Sequence, residues 1–183
     1  MGRRTMCRKT NTSYAPALQT ERLSLRPLTR DDENALHRIS NDPLVRQYLW
    51  DNEQVYAEAI RDLVQRSLHT FSDECVGVFG IRLRDSENLV GFCGFVRLEG
   101  MDELELAYEL VPELWGRGLA TEAARACVRY AFEEACLRRV IAGADPPNVA
   151  SVRVLEKLGM EPVGNINPLA PEEPYYALYE KGR

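Results

Sequence analysis

The spacing of apolar positions changes several times along this chain, and each change marks an element. Leu23 and Leu25 alternate with polar neighbours in TERLSLRP, residues 20–27, and predict a short strand. Thr29, with Asp32 three residues on, has the spacing of a helix start, and a helix is expected over about 31–40. A longer helix is expected over about 54–71. There Val55, Ala59, Ile60, Leu63, Val64, Leu68 and Phe71 fall on one apolar stripe. The period then drops to two. Residues 76–83 (VGVFGIRL) and 89–98 (LVGFCGFVRL) read as strands joined by the turn DSEN at 85–88. ELELAYEL, residues 103–110, alternates apolar and charged side chains and predicts a third strand of the same meander.

After VPELWGRG an alanine-rich helix is expected over about 119–134. RVIAGA at 139–144 reads as a short buried strand stopped by Pro146 and Pro147. A helix over 150–158 is closed by Gly159, and residues 175–180 form a last strand. The order β, α, α, three strands, α, β, α, β specifies an α/β chain of α+β type: a single domain, with a mixed central sheet flanked by helices.

Composition narrows the function classes. The 183 residues suffice for one domain, expected over 18–183 behind a flexible basic tail at 1–17. A net charge of −5 argues against nucleic acid as a partner and mildly favours cationic ligands such as amines. The five cysteines are scattered and odd in number, without CxxC spacing, so neither a disulfide framework nor a zinc site is expected. Cys93 and Cys127 read as small core residues. With only His37 and His69 available, a histidine triad or metal centre is not expected. No run spans a membrane, the basic N-terminus lacks the apolar middle of a secretion signal, and Met6 breaks the myristoylation pattern. A cytoplasmic location without membrane partners is therefore expected.

Candidate chemistry lies where a strand runs through Gly116 and Gly118 directly into a helix. The first N–H groups of a helix lack partners, its dipole favours an anion, and glycines let a phosphate approach the backbone. Arg117 adds a charge and Thr121 a hydroxyl. Many such turns bind nothing, and this one is neither a Walker loop nor GxGxxG. Asn148 and Ser151 stand three apart at the next strand–helix junction, where Asn148 also reads as a plain helix cap.

TERLSLRPLTRDD, NDPLVRQYL, WGRGLATEAA and NVASVRVLEKLGM, in that order, resemble the GNAT acetyltransferases and within them the Rim-type branch that acetylates N-termini of ribosomal proteins. The resemblance covers about residues 20–180 and implies acetyl-CoA as cosubstrate, an amine as acceptor and no metal. It implies that Tyr108, Glu109 and Leu110 pair their backbone with the pantetheine arm, and that Gly116, Arg117, Gly118, Leu119, Ala120 and Thr121 hold the pyrophosphate. It also implies that Asn148 bonds the cofactor and that Ser151 sits near the leaving sulfur. Trp115 stands where the superfamily loop usually opens with Gln or Arg. The strand glutamate and helix tyrosine that some relatives use are absent: Ile141 and Gly143 replace the first, Leu155 the second. Base candidates are then Glu105 and Glu109, with Glu105 preferred, acting through water. An unbulged strand puts both on one face with Ala107; a bulge, usual in the family here, would re-aim them. The bland alternative is that both are solvated charges on an exposed face. Backbone N–H near Leu110 would serve as oxyanion donor. Trp50 and Tyr48 either shape the acceptor cleft or pack a helix corner. Relatives often dimerise, so a homodimer stays open. Set against the enzyme are a non-catalytic acyl-CoA-sensing domain and a plain structural domain.

Overall fold

The computed structural model describes residues 16–97, 103–167 and 174–180. Residues 1–15 of the expected tail, the expected strand end at Leu98 and the loop residues 168–173 lie outside them. Eight strands form one sheet: β1 (Leu18–Gln19), β2 (Leu23–Pro27), β3 (Val78–Leu83), β4 (Leu89–Arg97), β5 (Leu104–Leu110), β6 (Arg139–Gly143), β7 (Glu161–Gly164) and β8 (Tyr175–Tyr179). Their order is β1-β2-β3-β4-β5-β6-β8-β7. Only β5 and β6 run parallel; every other pair is antiparallel. Helices α1 (Glu33–Ser40), α2 (Pro43–Leu49), α3 (Ala57–Glu74), α4 (Leu119–Glu133) and α5 (Val149–Leu158) cover the sheet.

The core divides by sheet face. Alternate residues of β5 point to opposite sides. Leu104, Leu106 and Leu110 join a cluster with Ala123, Cys127 and Leu155 of α4 and α5. Ala107 packs instead with Leu36, Ile60 and Val64 of α1 and α3. Cys93 and Cys127 are fully buried on the α4 side, as core residues. Both faces of the sheet are covered, which is why Ser24, between Leu23 and Leu25, is also buried. Its hydroxyl accepts from Gln19 Nε2 at 3.0 Å.

Three elements lie outside the expected pattern, the first being the two-residue edge strand β1. α2 is seven residues long, with Pro43 in its first turn and Asp42 Oδ1 accepting from Leu44 N–H at 2.9 Å; so short a helix shows little periodicity. β7 is a four-residue edge strand containing Pro162, which disguises it. The stripe of α3 is also corrected. Ile60, Val64 and Ser67 are buried, whereas Leu68 and Ala59 are exposed. Ser67 Oγ accepts from Val78 N–H at 2.8 Å, so a hydroxyl fastens this helix to β3.

Of the two alternatives for β5, the structure has the unbulged strand. Its pairing with β4 runs unbroken from Gly91↔Leu110 to Arg97↔Leu104. The register shift falls between β3 and β4, after Ile81. Glu105, Ala107 and Glu109 therefore keep one face.

Candidate active site

The phase of the β5 hydrogen bonds determines which backbone groups face the neighbouring strand. Val111 N–H donates to the Val90 carbonyl at 2.9 Å. Antiparallel bonding alternates, so Glu109, Ala107 and Glu105 exchange bonds with β4 while Leu106, Tyr108 and Leu110 turn their N–H and C=O toward β6. β6 meets β5 at a single register position, Glu105↔Ile141. Beyond it the strands diverge, and the divergence opens a cleft of about 1460 Å³. The backbone of Tyr108 and Leu110 thus lies on the cleft wall where the pantetheine arm is expected, whereas Glu109, expected to pair with that arm as well, spends its backbone bonds on β4. The Leu110 carbonyl accepts from Trp115 Nε1 at 2.7 Å, so the residue that departs from the family pattern seals the end of this wall.

The loop below the cleft has the geometry of an anion cradle. Gly116 and Gly118 hold φ of +73° and +76°, and a side chain at Gly116 would meet nothing within 4 Å. α4 starts at Leu119 with Gly118 as its cap residue and without a side-chain cap. Its first-turn N–H groups, at Leu119, Ala120 and Thr121, border the cleft. Arg22 fixes this loop: Nη1 donates to the Arg117 carbonyl at 2.9 Å and Nε to Glu122 at 2.7 Å. Glu122 also accepts from Thr20 Oγ1 at 2.6 Å. Burial pushes its carboxyl up, but the Thr20 and Arg22 bonds outweigh that and leave it below the ordinary range. The Arg117 side chain is exposed beside the loop.

Across the cleft, Asn148 Oδ1 accepts from Ser151 N–H at 3.1 Å, so this residue does cap α5 while lining the cleft. Ser151 Oγ lies 2.7 Å from the Tyr108 hydroxyl. Burial raises the Tyr108 pKa far above its usual value, so the phenol stays protonated and can only donate or accept as a neutral group. Leu155 is fully buried core.

The two carboxylates share a face but not an environment. Glu109 is buried, and its oxygens accept from Ser40 Oγ at 2.7 Å and Trp50 Nε1 at 3.2 Å. Burial pushes its pKa up to about 7, against the pull of those two donors. Gly91, opposite Leu110 in β4, holds φ of +154°, and a Cβ there would stand 2.1 Å from the Glu109 carbonyl oxygen. Glu105 is half-buried and points at β6: Oε1 accepts from Gly143 N–H at 3.0 Å and Oε2 from the Tyr175 hydroxyl at 3.4 Å. The alternative of two solvated charges is therefore overturned. Trp50 reaches the site as a partner of Glu109. Ser40, at the C-terminal end of α1, gave no signal in the sequence because only the fold brings it to β5. The hydroxyl contacts of Tyr108 and Tyr175 leave no signal in the sequence, because only the fold brings Ser151 and Glu105 to them.

Beyond Glu109, the far half of the cleft is walled by Leu44, Tyr48, Leu49 and Trp50 from the α2 corner and by Leu63 of α3. No cysteine lies among the residues described as lining the cleft.

Residues 22–161 match the family described as Acetyltransferase (GNAT) domain. The uncharacterized N-acetyltransferase YoaA of Bacillus subtilis (strain 168) is 34% identical over 151 residues, covering 81% of this chain and 85% of that protein. An acetyltransferase structure from Agrobacterium tumefaciens superposes with a TM-score of 0.81 at 27% identity, covering 90% of this chain and 95% of that one. The structure of RimL, a ribosomal L7/L12 alpha-N-protein acetyltransferase in complex with coenzyme A, superposes with a TM-score of 0.73 at 19% identity, covering 90% and 98%, which shows a shared fold.

Proposed function

This chain belongs to the GNAT acetyltransferase family and is an N-acetyltransferase, and from that premise we propose that it acetylates a low-pKa primary amine, with acetyl-CoA held in the β5–β6 cleft and Glu109 as the base. The observation that carries this is the buried Glu109 carboxyl, raised to about 7 and set one residue from the open edge of β5.

The residues fit acetyl-CoA. The Gly116–Gly118 turn and the first turn of α4 offer backbone N–H groups and open space for a pyrophosphate. The β5 edge offers alternating donors and acceptors for an amide-bearing arm. Acetyl-CoA supplies the acetyl group as a reactive thioester. Around it, Glu109 takes a proton from the attacking amine, and the backbone N–H of β5 facing the cleft is placed to stabilise charge on the carbonyl oxygen. Ser151, backed by Tyr108, donates toward the departing sulfur. A thiol pKa near 8.5 means the sulfur leaves without full protonation. Without a cysteine on the described cleft walls, direct attack by the amine is favoured over an acyl-enzyme.

The base also bears on the acceptor. An α-amine has a pKa of about 7.7–8.0, so proton transfer to Glu109 is uphill by only about one unit. A lysine-type amine at about 10.4 is uphill by more than three units, on the order of 4–5 kcal/mol. This favours protein N-termini and similar amines, as in the Rim-type branch, with the apolar wall from Leu44 to Leu63 taking the acceptor's carbon body.

A thermal-shift titration with acetyl-CoA, coenzyme A and ATP, on wild type and Gly118→Glu, tests the cofactor site. Ligand at ~100 times its dissociation constant stabilises by about 2.7 kcal/mol. The two CoA species should raise the melting temperature of wild type and not of the variant. Thiol release over matched α-amine and lysine peptides then tests the acceptor, and faster turnover of the lysine peptide would sink the low-pKa assignment.

A further inference from the structure

The parallel ladder between β5 and β6 stops after one register position, and a side chain sits where it stops. With Leu106 and Tyr108 facing β6, continuation of the Glu105↔Ile141 pairing would send the Gly143 N–H to the Leu106 carbonyl and the Tyr108 N–H to the Gly143 carbonyl. Gly143 N–H instead donates to Glu105 Oε1 at 3.0 Å. The other carboxylate oxygen accepts from the Tyr175 hydroxyl, which itself accepts from Asn167 Nδ2 at 3.1 Å. Tyr175 sits on β8 directly opposite Gly143, so the carboxylate grips the β6–β8 pair from the β5 side. A side chain thus occupies the donor that would have zipped the two strands together.

We propose that Glu105 is a positioning residue: its carboxylate captures the Gly143 N–H, halts the ladder and holds the β5 edge at Leu106, Tyr108 and Leu110 open for the pantetheine arm of acetyl-CoA. The assignment rests on the reading that this cleft binds acetyl-CoA. It separates the two glutamates of β5 into one that holds the cleft and one that removes the proton.

The test compares Glu105→Gln, Glu105→Ala and wild type by acetyl-CoA titration, steady-state kinetics and ligand-free melting. Gln keeps an oxygen for the Gly143 N–H, so its KM for acetyl-CoA and its kcat should stay within about threefold of wild type. Ala frees that N–H for the Leu106 carbonyl, and its KM and dissociation constant for acetyl-CoA should rise roughly tenfold, the equivalent of one hydrogen bond. Its kcat at saturation and its pH profile should be retained. If Glu105→Ala does not fold, Glu105→Asp, one methylene too short to reach Gly143, should give the same split. Equal, severe kcat losses in Gln and Ala with unchanged acetyl-CoA binding would make Glu105 a chemical participant and overturn the assignment. If wild type itself fails to bind acetyl-CoA, the cofactor site falls first, a result the variant series cannot mimic.

Discussion

Glu105 and Glu109 stand four residues apart on the same face of one unbroken strand, and nothing in their local sequence separates them. Their neighbours do. Glu109 is roofed by the α1–α2 corner, with two side-chain donors and so little water that its charged form is disfavoured. Glu105 is tied to the main chain of β6 and to a tyrosine of β8. A carboxyl whose pKa lies near working pH can take and release a proton, whereas one whose oxygens accept from a strand N–H and a phenol serves as an anchor. The strand supplies two equal groups, and the difference in their neighbours is the ground for the two roles we propose.

The sharpest break in this comparison is Glu109→Gln. Removal of a general base lowers kcat by roughly 10²–10⁴. The KM for acetyl-CoA should change little, since the side chain faces away from the α4 side. In wild type, kcat/KM should rise with pH through a limb near 7 as Glu109 loses its proton, and that limb should be missing from the variant. Initial rates from pH 5.5 to 9 with a neutral-pKa amine check both points. A variant with wild-type kcat would return the base role to Glu105.

Much of the comparison was beyond the reach of the sequence. The alternation in ELELAYEL shows that both glutamates share a face, and the glycines before an alanine-rich helix show where a turn of positive φ leads into a helix N-terminus. The two glutamates sit in identical local patterns, and the partners that distinguish them are not written beside either one. Ser40 arrives from 69 positions away, and Gly143 lies 38 positions from Glu105. Such partners are long-range contacts of single atoms and leave no periodicity to read. Of the two alternatives for β5, the unbulged strand holds: it pairs with β4 without an extra residue, and where β5 and β6 part the Gly143 N–H is held by the Glu105 side chain.

Stability gives a second, smaller contrast. The Glu109 carboxyl is near 7 folded and near 4.5 unfolded, so between these values the folded state binds more protons. Stability from this group is therefore fully present below about 4.5 and is lost as pH rises through about 7, by on the order of 3 kcal/mol at most. Glu109→Gln removes the burden, so the variant should match wild type at pH 5 and melt higher at pH 8, measured by denaturant unfolding at both. A variant less stable at pH 8 than at pH 5, relative to wild type, would contradict the buried ionisation.

Trp50→Phe tunes the same group without deleting it. The indole N–H stabilises the carboxylate form, so its loss should move the pH limb of kcat/KM upward, with kcat at high pH largely kept. A limb that stays in place would mean that Trp50 only packs the helix corner.

Tyr108, between the two glutamates but on the opposite face, provides the finest test. Its hydroxyl meets Ser151 Oγ at 2.7 Å, and burial keeps it protonated, so it supports the serine as a donor and does not titrate. Tyr108→Phe removes the neutral hydrogen bond to Ser151 Oγ, about 0.5–1.5 kcal/mol and so roughly two- to tenfold in kcat, together with the longer bond, 3.3 Å, that the phenol donates to the Ser151 carbonyl. Because the pair acts as a unit, Tyr108→Phe on a Ser151→Ala background should add almost nothing. The limb near 7 should be the same in all three variants, since none touches Glu109. Additive losses in the double variant would show that the phenol and the serine act on different atoms, and a displaced limb would show that the two faces of β5 are coupled after all.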